Sequence, residues 1–118
     1  MRHALIVLVA ALSFATAGCN RAEPYLACSR DAPCGGDAPL CLSDTAPRGV
    51  SALFCTRRCT TPMATSSECP AGGACIRLNG GDPVCVKRCA SDAECDFNNA
   101  ACLVRTESLG VRVCAVRP

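Results

Sequence analysis

Thirteen cysteines are the residues in this chain with the most chemistry to offer. A cysteine can bridge to another, hold a soft metal as thiolate, or attack as a nucleophile, and spacing and compartment decide which. Twelve of them fall into three groups of four. The first is Cys28, Cys34, Cys41 and Cys55; the second is Cys59, Cys69, Cys75 and Cys85; the third is Cys89, Cys95, Cys102 and Cys114. Three residues join each group to the next, in the near-duplicate stretches "FCTRRC" and "VCVKRC". No two cysteines have the C-x-x-C spacing of a zinc pair or a redox motif. In an oxidising compartment, six disulfides are the expected outcome, and no metal is. Four cysteines allow three connectivities per unit, and spacing alone does not choose among them. The favoured arrangement joins first to third and second to fourth, tying an N-terminal loop to both arms of a hairpin.

Other chemistry is scarce. His3 is the only histidine and lies in the apolar leader, so the remainder has no imidazole base for a Ser-His-Asp or Cys-His site. No catalytic residue and no cofactor is expected. Asp92, Glu94 and Asp96 alternate as hard oxygen donors, but Cys95 interrupts them and an EF-hand's mid-loop glycine and final glutamate are missing. Solvated loop carboxylates are the expectation there.

The leader, "MRHALIVLVAALSFATAGCN", has a basic start at Arg2, a 12-residue apolar run from Ala4 to Ala15, and small residues after it. The run is too short to span a bilayer and has the form of a secretory signal peptide, residues 1–18. "TAGC" resembles the lipobox of bacterial lipoproteins, with Thr16 where that family usually has leucine. The resemblance implies that Cys19 becomes a lipidated N-terminus carrying thioether-linked diacylglycerol and an amide-linked acyl chain such as palmitate. Assigning Cys19 to lipid turns an odd count of thirteen into twelve bridgeable cysteines. Residues 19–27 then form a tether. Asn20 replaces the aspartate that holds lipoproteins in the inner membrane in known sorting systems, which points to the outer membrane. The alternative is secretion after a cut near Ala17.

The elements that position the cysteines repeat three times, over residues 28–57, 58–88 and 89–118. Units one and three share C-x-x-D-A-x-C, in "CSRDAPC" and "CASDAEC". Unit two carries four extra residues in its first loop, "CTTPMATSSEC", and realigns downstream. Pro118 stands where a fourth unit would begin. The pattern resembles cysteine-rich repeats of small secreted proteins, including the N-terminal region of the Dickkopf family. That resemblance implies a disulfide-rich binding module.

In units one and three, Asp31 and Asp92 sit in the first loop, where the carboxylate is expected to fix the turn by accepting backbone N–H groups. A short β-hairpin follows. In unit one its arms are 40–42 and 50–55, around "SDTAPRG". In unit two they are 74–78 and 83–87, around "NGGD", whose glycines reach positive φ freely. In unit three they are 102–105 and 110–114, around "TESL". Little helix is expected outside the signal peptide. The fold class is therefore small and disulfide-rich, and its units are expected to fold semi-independently because repeat arrays contact mainly their neighbours.

Three phenylalanines, one tyrosine and no tryptophan are too few to hold such a chain by burial alone. Net charge is +2, with acidic residues interspersed among the basic ones. No basic block suited to nucleic acid forms. The pairs Arg57-Arg58 and Lys87-Arg88 are expected to be solvated, with a docking stripe for an anionic surface as the alternative. Together these features describe a lipid-anchored, non-catalytic binding module of the bacterial cell envelope. It would touch the membrane through Cys19 and recognise a protein or envelope ligand. The competing reading is a small inhibitor or toxin-like effector that presents Arg48 from the "SDTAPRG" loop to a trypsin-like pocket.

Overall fold

A computed structural model describes residues 23–118. It contains three antiparallel hairpins and no α-helix among the described residues. β1 (Leu40–Thr45) pairs with β2 (Ser51–Thr56), β3 (Ala74–Arg77) with β4 (Pro83–Val86), and β5 (Ala100–Val104) with β6 (Arg112–Val116). The small disulfide-rich fold of three looped hairpins is the one expected from the cysteine spacing.

The turn in unit two shows why its sequence makes a hairpin. Asn79 and Gly80 both have positive φ, at 52° and 73°, and the Gly81 N–H donates to the Leu78 carbonyl at 2.9 Å. This is the type I′ conformation that Asn-Gly favours, because asparagine and glycine bear little steric cost there. Unit three uses the same device one turn later than expected. Leu109 and Gly110 have φ of 55° and 80°, and Val111 N–H bonds back to Ser108. The hairpin of unit one is longer than expected. Ser43, Asp44 and Thr45 belong to β1, and the turn is confined to residues 46–50, closed by Ala46 N–H to the Val50 carbonyl at 2.7 Å. β5 and β6 also extend beyond their expected ends, to Ala100 and Val116.

The repeated joins have a structural role. Cys85 N–H donates to the Arg57 carbonyl and Cys59 N–H to the Pro83 carbonyl, so the first join lies beside β4. Cys114 N–H donates to Lys87 and Cys89 N–H to Arg112, so the second lies beside β6. Tyr25 N–H donates to Cys55 and Cys55 N–H to Leu26, placing the segment before unit one beside β2. Each hairpin thus gains a short third strand from the residues just before its first cysteine. This moves the packing boundaries. Arg57, Lys87 and Arg88 pair with the unit that follows them, and Tyr25–Ala27 belong to the folded body instead of the tether.

The expectation of semi-independent units needs correction. One apolar cluster draws on all three: Ala46 and Phe54 from unit one, Ile76 and Val84 from unit two, Phe97 and Val113 from unit three. Phe54 and Phe97 stack with ring centroids 5.2 Å apart, joining unit one directly to unit three. Thr56 is fully buried and its hydroxyl donates to the Cys85 carbonyl, linking unit one to unit two. A single hairpin has one apolar face and cannot bury it alone, so the three faces close on one another.

Asp44 completes the closure. It is buried, with 1% of its surface exposed. One carboxylate oxygen accepts from the Arg105 guanidinium and the other accepts the Val116 N–H at 2.7 Å. Arg105 also pairs with Glu107. Asp44→Ala is expected to lower unfolding free energy by about 1–3 kcal/mol, because the buried Val116 N–H loses its acceptor and Arg105 keeps only Glu107. Denaturant unfolding of the non-reduced protein measures the loss. If the units were independent, protease sensitivity in that variant would stay within unit one; the clasp predicts that it reaches unit three.

Candidate functional site

All twelve cysteines of the three groups are bridged, first to third and second to fourth in every unit. The pairs are Cys28–Cys41, Cys34–Cys55, Cys59–Cys75, Cys69–Cys85, Cys89–Cys102 and Cys95–Cys114. Hairpin register explains the arrangement. The third and fourth cysteines stand directly opposite each other: Cys41 faces Cys55, Cys75 faces Cys85, and Cys102 faces Cys114. Each reaches for a different loop cysteine, so the loop is stapled to both strands at one level. No bridge crosses from one unit to another. Cys19 lies outside the described residues.

The sulfurs of the first, second and fourth cysteines cluster in each unit, all within 4.8 Å of one another. By distance alone such a triad could hold a metal. In each case two of the three sulfurs are bonded to each other and the third to the remaining cysteine, so none is the thiolate that a metal needs.

The turn-fixing residues differ from those expected. Asp31 is exposed, and the first loop of unit one is held by Ser29, whose hydroxyl accepts Ala32 N–H while its own N–H donates to the Ala32 carbonyl. Asp92 reaches past its own turn. Its carboxylate accepts Cys102 N–H at 2.8 Å, on the outer edge of β5, and pairs with Arg117 at 2.9 Å. The turn-fixing carboxylates in units two and three are glutamates. Glu68 accepts from the Thr60 N–H and hydroxyl, and Glu94 accepts from the Ala90 and Ser91 N–H groups. Each stands immediately before the second cysteine of its unit and binds the residue immediately after the first. The repeated Glu-Cys dipeptide was the available signal; unit one has Pro33 there and uses Ser29 instead.

The alternating acids of unit three have partners within the fold. Asp92 and Glu94 are engaged as described, and Asp96 lies 3.4 Å from the Lys87 ammonium. The basic joins are largely occupied too. Arg58 pairs with Asp82 at 2.6 Å, Lys87 donates to the Glu94 carbonyl, and Arg88 donates to the Thr65 hydroxyl.

Tyr25 carries a role that composition concealed. It is buried against Cys59, Cys69, Cys75 and Cys85, and its hydroxyl donates to the Pro70 carbonyl at 2.7 Å. A side chain before unit one therefore seals both bridges of unit two. Gly73 makes room for it. A Cβ there would lie 2.3 Å from the tyrosine oxygen and 2.7 Å from the Val86 carbonyl oxygen.

Protonation links these contacts to stability. Hydrogen bonds from Thr60 hold Glu68 below the usual carboxylate range; bonds from Ala90 and Ser91 do the same for Glu94. For Asp92 the causes are the Cys102 N–H and then Arg117. The unfolded chain therefore takes up protons before the folded one as pH falls. This stabilisation is complete above about pH 5 and is lost on acidification through the lowered values. Thermal midpoints of the non-reduced protein are expected to fall below about pH 4, and less steeply in a Glu68→Gln, Glu94→Gln, Asp92→Asn variant. Burial pushes Tyr25 up to about 12, with Arg57 opposing. That stabilisation is present below the ordinary phenol value and is lost as pH rises through the raised one. Because Tyr25 is the only tyrosine, phenolate absorbance should titrate near 12 in the folded protein and near 10 after reduction and unfolding.

No known family matches the chain, and no curated protein or solved structure matches it either.

Proposed function

We propose that this protein is a lipid-anchored, non-catalytic binding module of the bacterial cell envelope, held at the outer membrane through Cys19. The observation that carries this reading is the join between leader and folded body. The apolar run ends in "TAGC" at Cys19, and Tyr25, near the start of the described residues, is already buried in the folded body. Between them lie only residues 20–24. Even fully extended, that segment reaches no more than about 20 Å. A module so tethered acts next to the membrane that holds it.

The body itself suits recognition better than turnover. Its bridges, shared core and Asp44 clasp make a rigid platform, and rigid surfaces lose little entropy on binding. A shallow groove between the β1–β2 turn and β5 is lined by Pro47, Leu103, Val104 and Val116, with Val104 57% exposed. An exposed apolar side chain in a groove offers a contact for a protein or envelope ligand.

The inhibitor reading loses its main support. Arg48 is exposed, but it sits in a tight turn closed by Gly49 N–H to the Ala46 carbonyl at 2.9 Å. An extended segment that could enter a protease cleft is not what this turn offers.

Labelling expressing cells with a fatty-acid analogue tests the anchor. Wild type should incorporate label and fractionate with membranes, and Cys19→Ala should do neither. Equal labelling of both would overturn the proposal. Inhibition of a trypsin-like protease that is lost in Arg48→Ala would revive the competing reading.

A further inference from the structure

We propose that the Cys28–Cys41 bridge is a thiol-exchange site, opened by an external thiol reductant that attacks the Sγ of Cys41. Two independent observations single it out. The first is access. Cys41 is exposed, whereas its counterparts Cys75 and Cys102 are 0% and 5% exposed. Both bridges of unit two are sealed beneath Tyr25. Thiol–disulfide exchange needs an attacking thiolate to reach one sulfur, so burial slows it.

The second observation is the strand edge on which Cys41 lies. Cys55 and Leu53 of β2 make their outward hydrogen bonds to Leu26, Tyr25 and Cys28. By the alternation of an antiparallel ladder, the facing residues Cys41 and Ser43 point their N–H and C=O groups away from β2. The equivalent edge is covered in the other two units. In unit two, Met63 exchanges two backbone hydrogen bonds with Cys75, at 2.9 and 3.0 Å. In unit three, Asp92 accepts the Cys102 N–H and Arg112 donates to its carbonyl. In unit one, no described residue makes a backbone hydrogen bond to Cys41 on that side. A reductant can therefore approach Cys41 from the edge without displacing any described part of the fold.

The step balances with a dithiol or two monothiols. An incoming thiolate bonds to the Cys41 sulfur, the Cys28–Cys41 bond breaks, and Cys28 leaves as thiolate and takes up a proton. A second thiol then displaces Cys41, and the reductant departs as its own disulfide. Cys34–Cys55 remains intact and still holds the loop to β2, with Cys28 Sγ within 4.8 Å of both of its sulfurs. The opened pair is thus kept near its bonding geometry, and a small-molecule disulfide such as oxidised glutathione can close it again by the reverse exchange, leaving as two thiols. Unit one would be the redox-responsive third of the molecule.

The test uses the full, oxidised chain. Any free thiol is first blocked with unlabelled alkylating agent. Glutathione is then added under native conditions, the reaction is quenched over time with a second alkylating label, and peptides are mapped by mass. Cys28 and Cys41 should react roughly tenfold or more faster than any cysteine between 59 and 114. At early times glutathione should be found on Cys41 and the alkyl label on Cys28. Earlier or equal labelling of another bridge overturns the proposal, and glutathione on Cys28 in place of Cys41 overturns the direction of attack.

Discussion

The opposition of two cysteines across each hairpin, with each bonded to a different loop residue, is the constraint from which the rest of the structure follows. The chain lacks the large side chains to fix a loop by packing. It fixes each loop covalently, and at both strands of the hairpin. The closed loops run from 13 to 21 residues, a length at which one unstrained bridge contributes roughly 3 kcal/mol by restricting the unfolded chain. Once the loop is held, its short polar groups need only modest hydrogen bonds to settle it. Ser29, Glu68 and Glu94 supply these in the first loops of successive units, from different positions and by different side chains.

Stapling a hairpin does not bury its apolar face, and that deficit shapes the assembly. Each unit offers a few apolar residues, such as Phe54, Ile76 and Val113. None has partners enough within its own unit. Closing three faces on one another gives a shared core and brings unit one against unit three. A chain of units meeting only their neighbours would have left Phe54 and Phe97 apart. Closure also permits a buried carboxylate, because Asp44 finds both a guanidinium and a backbone N–H at the far end of the chain. A slipped register would strand that charge, which favours one closed arrangement.

The same closure makes the units unequal in exposure. Unit two lies under Tyr25, and unit three is braced by Asp92 and Arg112. Unit one contributes Asp44 and Phe54 to the centre, and no described residue makes a backbone hydrogen bond to Cys41 on its outer strand edge. Functional differences among three similar repeats thus arise from what packs over them more than from their own cysteines.

Cysteine number and spacing determined a great deal without any coordinates. They marked three units, disulfide bridging and the approximate positions of the hairpins, while "NGGD" marked the Asn-Gly turn. These are local matters, fixed by a few adjacent residues and by the steric freedom of asparagine and glycine. Bridge connectivity was favoured but not compelled, since it depends on which sulfurs meet when strands pair. The role of Tyr25 was hidden because its partners begin thirty residues away, and a lone tyrosine beside a proline reads as tether. Asp44 read as loop because its hydrophobic neighbours are few and its partners Arg105 and Val116 lie in another unit. Asp31 and Asp92 looked equivalent in sequence and are not, since only Asp92 has β5 and Arg117 within reach. Contacts of that kind are set by the closure of three small faces around one core, and no local pattern encodes which distant residues that closure brings together.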